Sequence, residues 1–249
     1  MMEVELTAKD RERYNRQMFI EDWGEAGQKK LKNAEVFISG VGGLGSPVAI
    51  YLAVAGVGKI RVCDFDVPEL SNLNRQILHH DARIGLNKAL SAKKTLEVLN
   101  PTVEIKEFPE RIEADNVDKL VGTSQIIIDC MDNFDTRLIL NECAIRKKIP
   151  LVFASVWGLT GYLSFFHVPE TPCLACIFRE PPPREKFPVV GATPGVIGCL
   201  EALEVLKYIT GIGQNLKNKL LIWDGTTVDF RKVSIKYDKD CPVCGTLHR

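Results

Sequence analysis

Hydrophobic positions along the chain fall into two textures. Val36-Phe37-Ile38, Lys59 to Cys63, Gln125 to Cys130 and Pro150 to Val156 are short apolar runs of the kind buried in a sheet. Between them, apolar residues recur at helical spacing. Val48, Ile50, Leu52, Ala53 and Val54 form one such set, and Leu86, Leu90, Leu96 and Leu99, with Ala89 and Ala92, form another. Val103 to Phe108 reads as a further strand, and 113–121 and 134–147 as further helices. Strands alternating with helices predict an α/β fold around a mostly parallel sheet.

The pattern changes in the second half. Gly161 to Val168 alternates loosely through Tyr162, Ser164 and Phe166, and Leu220–Asp224 with Thr227–Ile235 reads as an antiparallel hairpin turning at Asp224-Gly225. Gly195 to Thr210 has a helical apolar stripe. Residues 179–194 hold five prolines and predict a crossing loop without regular structure. Residues 9–33 read as one strongly charged helical arm.

The chain is organised around Glu35 to Asp66. There a strand runs into Gly40-Val41-Gly42-Gly43-Leu44-Gly45, a helix follows, and a second strand ends at Asp64. Glycines permit a tight turn and a close ligand approach, and the helix N-terminus offers unpaired N–H groups to phosphate. A carboxylate at Asp64 suits ribose hydroxyls. This order of elements predicts nucleotide binding without saying which nucleotide, and the bland alternative is a turn that only packs strand on helix.

Asp64 to Gln76 follows, with two further acids, Asn72, Asn74, Arg75 and Gln76 just past a strand end. Arg75 suits phosphate through paired charge-assisted hydrogen bonds. Lys88 falls in the first turn of a predicted helix, where a cation opposes the helix dipole. A nearby phosphate or plain solvation explains it equally. Asp132, after the strand 125–130, suits magnesium, caps the next helix, or does both. Arg11, Arg13 and Arg16 precede the first strand, and their spacing alone gives only a solvated helix face.

Composition narrows the class. The chain has 249 residues, 45% of them apolar and 26% charged, with a formal charge of zero. That removes any global attraction to nucleic acid or a membrane. No apolar run approaches the roughly 20 residues of a membrane span, and the polar N-terminus does not read as a signal peptide. A cytoplasmic location is therefore expected, so the eight cysteines are read as metal ligands, nucleophiles or core residues before disulfides. Cys173-x-x-Cys176 and Cys241-x-x-Cys244 give four thiolates, the number for structural zinc, with a redox dithiol and an iron–sulfur site as alternatives.

As an ordered set, these segments resemble the MoeB/ThiF/HesA family, relatives of ubiquitin-activating enzymes. The set comprises Arg13 to Gln17, the glycine loop 40–45, Asp64-Phe65-Asp66, Ser71 to Gln76, Lys88, Asp129 to Asn133, both cysteine pairs and Gly195 to Gly198. The resemblance spans nearly the whole chain. It implies a single adenylation domain over 1–249 with a Rossmann-like ATP-binding fold, a mostly parallel sheet extended by antiparallel strands, and a zinc clip of four cysteines.

It also implies roles. Gly40, Gly42, Gly43 and Gly45 would cradle ATP, Asp64 would hold the ribose, and Asn72, Arg75 and Lys88 the triphosphate, supported by Gln76. Asp132 would bind magnesium, and Arg16 would reach into the ATP site of the partner subunit in a homodimer. Cys173, Cys176, Cys241 and Cys244 would hold zinc. The implied substrate is a ubiquitin-fold sulfur-carrier protein ending in Gly-Gly, in molybdopterin or thiamine biosynthesis.

One departure is visible. Many relatives carry a cysteine in the crossing loop, and 179–194 has none. Cys199, Cys63, Cys130 and Cys143 read as core residues. An acyl-adenylate product passed to a separate sulfur donor is therefore expected, and the stop soon after Cys244 predicts no appended sulfurtransferase domain. A nicotinamide-dependent oxidoreductase accounts for Gly40 to Asp64 but not for Arg75, Lys88, Asp132 or the cysteine pairs. A non-catalytic scaffold for a ubiquitin-fold partner leaves the charged residues unexplained.

Overall fold

The computed structural model describes residues 5–179 and 188–248. The first four residues of the chain and the central part of the predicted crossing loop, 180–187, lie outside them. Eight strands form one sheet: β1 (Glu35–Ser39), β2 (Lys59–Cys63), β3 (Glu104–Phe108), β4 (Ile127–Asp129), β5 (Leu151–Trp157), β6 (Thr160–Phe166), β7 (Lys219–Asp224) and β8 (Asp229–Ser234). Their spatial order is β3-β2-β1-β4-β5-β6-β7-β8. The pairs from β3 to β5 are parallel, and those from β5 to β8 are antiparallel.

Both faces of the central strands β1, β2, β4 and β5 are buried, which explains their continuous apolar runs, whereas β8 is exposed throughout. Val36, Ile38, Ile60, Val62, Ile126 and Ile128 point into one core with α4 (Gly45–Ala55), α5 (Lys88–Leu99) and α9 (Ala192–Thr210). Phe37, Cys63, Ile127 and Phe153 point into the other, with α6 (Val117–Val121), α7 (Phe134–Lys147) and the one-turn α8 (Leu174–Ile177). This is the two-residue alternation of a pleated strand with helices on either side. The chain leaves β1 towards β2 and β3, then returns to β4 on its other flank, so the strand order reverses between β1 and β4. Ser39 and Asp129 are paired there, and a crevice opens beyond their C-terminal ends.

Four expectations change. The arm is three helices: α1 (Ala8–Arg13), α2 (Asn15–Met18) and α3 (Gly24–Asn33). It breaks at Tyr14, which is buried against Gly56, where a Cβ would lie 2.5 Å from the tyrosine ring. The helix predicted over 113–121 starts at Val117, because Asn116 Oδ1 accepts the Glu113 N–H at 2.9 Å and holds 113–116 in a turn. Helix α9 starts at Ala192, three residues before the predicted start and inside the predicted loop, and Pro194 is tolerated because the first helical turn needs no N–H bond. The last strand spans only Asp229–Ser234, with Asp224 opposite Asp229. No helix among the described residues is long and apolar enough to cross a membrane.

Candidate active site

Gly40 follows β1 with φ +83°, and a Cβ there would lie 3.0 Å from the Cys130 carbonyl. A Cβ on Gly45 would lie 2.0 Å from the Gly40 carbonyl, so α4 starts directly against the end of β1 only because both are glycine. In the first turn of α4 the Ser46 N–H donates to the Gly42 carbonyl at 3.0 Å and Pro47 carries no N–H, which leaves Gly45 as the turn's open donor among the described residues. At Gly42 and Gly43 the missing Cβ makes room for a neighbouring segment. The nearest atoms are Gln76 Nε2 at 3.3 Å, and Pro194 at 3.5 Å with Arg75 Cγ at 3.6 Å.

Asp64 is fixed by backbone. Its Oδ2 accepts the Val41 N–H at 2.9 Å and its Oδ1 the Asp66 N–H at 3.0 Å. Each oxygen keeps a second acceptor direction for a ligand hydroxyl. Burial pushes its pKa up from the ordinary value, against the pull of Lys88.

Lys88 opens α5, whose cap Asn87 accepts the Ala89 and Leu90 N–H groups. Its side chain is 8% exposed, and its Nζ lies 3.4 Å from Asp66 Oδ2. No other acceptor for that ammonium is present among the described residues, although it carries three donors. A buried cation at the positive end of a helix dipole, with one long ion pair, is costly unless an anion joins it.

Arg75 Nη1 donates to the Ser71 carbonyl and to Asn74 Oδ1, both at 2.9 Å, which leaves the rest of its fork uncommitted among the described residues. Asn72 closes a turn, its Oδ1 accepting the Glu69 N–H at 3.3 Å. Gln76 is buried, and its Oε1 has no partner among the described residues. An orphaned buried acceptor, glycines with no room for a Cβ and two under-used cations fit the triphosphate and ribose chemistry expected of ATP.

Asp132 is exposed just beyond β4. It does not cap α7: Asn133 does, its Oδ1 accepting the Thr136 N–H at 2.9 Å, because the extended backbone falls at that residue. The Asp132 carboxylate has no protein partner among the described residues. A hard, uncommitted oxygen donor at the crevice mouth fits magnesium.

Arg16 is not brought to this site. It is exposed on α2, and its neighbour Gln17 donates to the Ala55 carbonyl at 2.7 Å, at the far end of α4. The eleven residues of α4 span about 16 Å between that point and the glycine loop.

The cysteine pairs do meet. The sulfurs of Cys173, Cys176, Cys241 and Cys244 all lie within 4.8 Å of one another. Individual separations are 3.9, 3.7 and 3.3 Å. A tetrahedron with metal–sulfur bonds of about 2.3 Å has edges of about 3.8 Å, so the cluster fits zinc. All four thiols are free of disulfides. Leu138 and Ile145 of α7 pack on the cluster, which thereby pins residues 238–244 to the body of the molecule.

Beneath the crevice lie groups to which sequence reading gave no role. Asp129 is fully buried, its Oδ2 3.5 Å from Arg137 Nη1, and burial raises its pKa to about 6. Glu201 of α9 is also fully buried, its Oε2 3.6 Å from Cys130 Sγ and its Oε1 without a partner among the described residues. His79 Nε2 lies 3.0 Å from the Val41 carbonyl and its Nδ1 2.9 Å from Ser91 Oγ. A charged residue in the largely apolar stretch of α9 is a weak signal for Glu201; Arg137, one of several charges on α7, and His79 have none.

The ThiF family model matches residues 14–243. The chain belongs to the ThiF family. It is 42% identical over 244 residues to the heterocyst HesA protein of Trichormus variabilis, covering 97% of this chain and 91% of that one. It is 39% identical over 250 residues to the sulfur carrier protein adenylyltransferase of Thermus thermophilus, covering 96% and 92%. Among solved structures, Escherichia coli MccB with ATP superposes with a TM-score of 0.84 at 26% identity, covering 94% of this chain and 74% of MccB.

Membership of the MoeB/ThiF/HesA group, the Rossmann-like α/β fold and the adenylyltransferase class therefore stand. Within that ThiF frame, the fold gathers Gly40 to Gly45, Asp64, Arg75, Gln76 and Lys88 at one crevice and leaves Arg16 apart. Of the other cysteines, Cys63, Cys130 and Cys143 are buried, whereas Cys199 is half-exposed on α9 and not in the core.

Proposed function

We propose that this chain adenylates the C-terminal carboxylate of a ubiquitin-fold sulfur-carrier protein ending in Gly-Gly, releasing pyrophosphate. The observation that carries this reading is Lys88, a buried ammonium with one long ion pair beside the glycine loop, which calls for an anion. The named relative in Thermus thermophilus supports the carrier as substrate.

A carboxylate oxygen attacks the α-phosphorus of ATP, the bond from that phosphorus to the bridging oxygen breaks, and pyrophosphate leaves. Negative charge grows on the phosphoryl oxygens and the leaving group. Lys88 and Arg75 neutralise it, with Asn72 alongside, and Asp64 fixes the ribose so that attack is in line. Gly40, Gly42, Gly43 and Gly45 keep the backbone close to the phosphates, and the Gln76 amide, packed beside Gly42, supports the loop with its Nε2 donor towards the phosphates and its Oε1 open to a nucleotide hydroxyl. Asp132 holds magnesium, which when bound adds charge stabilisation to the leaving group. No protein nucleophile is required for this step. Cys173, Cys176, Cys241 and Cys244 hold a structural zinc.

Arg16 serves the partner subunit's site in a homodimer, which gives its position at the far end of α4 a purpose. With no cysteine in 179–194, the acyl-adenylate is used by a separate sulfur donor, in the molybdopterin or thiamine pathway. The test is ATP–pyrophosphate exchange with a panel of ubiquitin-fold proteins ending in Gly-Gly. Exchange that depends on one carrier identifies the reaction and the partner. Absence of ATP binding refutes the reading.

A further inference from the structure

We infer that His79 is a positioning residue of the nucleotide site, tying the glycine loop to the helix that carries Lys88. The inference rests on the nucleotide reading given above. His79 lies three residues beyond Gln76, with its own N–H bonded to the Gln76 carbonyl at 3.0 Å. It is 5% exposed, yet both ring nitrogens are engaged.

The partners fix its chemical state. The Val41 carbonyl only accepts, so Nε2 carries the proton and donates. In the neutral ring Nδ1 then accepts from the Ser91 hydroxyl. Burial lowers its pKa to about 4, and the charges of Lys88, Arg83 and His80 push in the same direction. The ring is therefore neutral near pH 7.

Its position gives that state a use. The Val41 N–H donates to Asp64 Oδ2, so the next peptide's carbonyl, held by His79, sets how the loop presents itself to Asp64. Ser91 lies one turn beyond Lys88 on α5. The ring thus bridges the element that holds ribose and the element that holds phosphate. A loop out of register with Lys88 would still fold around the same core, but the nucleotide would meet its two anchors at the wrong separation. His79 touches no expected substrate atom and acts through Val41.

The test compares His79→Gln with His79→Asn. The glutamine amide reaches the Nε2 position and keeps a donor for Val41. The asparagine amide reaches only the Nδ1 position and abandons it. The dissociation constant for ATP with magnesium is measured by titration calorimetry beside the melting temperature of each unliganded protein. The expected result is His79→Gln within about threefold of the wild type and His79→Asn weaker by roughly tenfold, with the asparagine variant also melting a few degrees lower because the buried Val41 carbonyl is left unpaired.

Equal ATP affinity in the two variants overturns the inference, because a purely structural histidine would lower both melting temperatures and spare affinity in both. Should His79→Asn fail to fold, nitrogen-15 spectra of the wild-type ring decide. An Nε2–H signal that shifts on saturation with ATP supports the inference, and an unmoved one overturns it. A wild type that binds no ATP overturns the nucleotide reading itself, a different outcome from a wild type and an asparagine variant that bind it equally.

Discussion

Glu201 is the strongest test of the energetics. It sits fully buried on α9, with Oε1 unpartnered among the described residues and Oε2 reaching only a thiol at 3.6 Å. The nearby cation, Arg137, pairs with Asp129. Burial, with the Asp129 charge adding to it, drives the Glu201 pKa well above 4.5, so the folded protein keeps this carboxyl protonated. Replacing Glu201 by Met preserves length and removes two poorly satisfied oxygens.

Such a group costs about 1–3 kcal/mol when buried, and that is the expected gain in stability at neutral pH. For a chain of this size each kcal/mol moves the midpoint by roughly 2–4 °C. The pH dependence carries the sign. A carboxyl whose folded pKa is raised contributes most below its unfolded value, and that contribution is lost as pH rises towards the folded one. The wild type therefore loses stability relative to Glu201→Met as pH rises above about 4.5. Urea unfolding of both proteins between about pH 5 and 9 measures the difference, in which the titration of Asp129 largely cancels. A variant less stable than the wild type at neutral pH, or two parallel pH curves, would refute the reasoning.

Three further outcomes follow from the same geometry. Lys88→Met should weaken ATP binding by about 100-fold or more while leaving the unliganded melting temperature equal or higher, since it removes a poorly paired buried cation; calorimetry and a melt check both. Gly45→Ala puts a methyl group 2.0 Å from the Gly40 carbonyl, so a soluble variant should be less stable by roughly 3 kcal/mol or more and should bind no nucleotide; urea unfolding and calorimetry measure the two losses. Metal analysis should return about one zinc per chain, and Cys241→Ser or a strong chelator should lower the midpoint by roughly 10 °C or more, as loss of a structural metal does.

Groups close in sequence were legible, and groups joined only by packing were not. The glycine loop, Asp64, the Asn72-to-Gln76 segment and the two cysteine knuckles are each fixed by local spacing, because a turn, a strand end or a two-residue knuckle carries its chemistry with it. The apolar runs similarly announced the strands and the helices between them.

Tertiary structure decided the remainder. It broke the arm at Tyr14, since only the folded chain brings Gly56 close enough to leave a place for that ring. It chose Asn133 over Asp132 as the cap of α7, which one residue of backbone direction settles. It set Arg16 at the far end of α4 and paired Asp129 with Arg137. It joined His79 to Val41 and Ser91, and Glu201 to Cys130. A carboxylate or imidazole written in a sequence has no fixed partner. Its charge state and its role depend on how much water the fold removes and on what distant residue the sheet brings within hydrogen-bond reach.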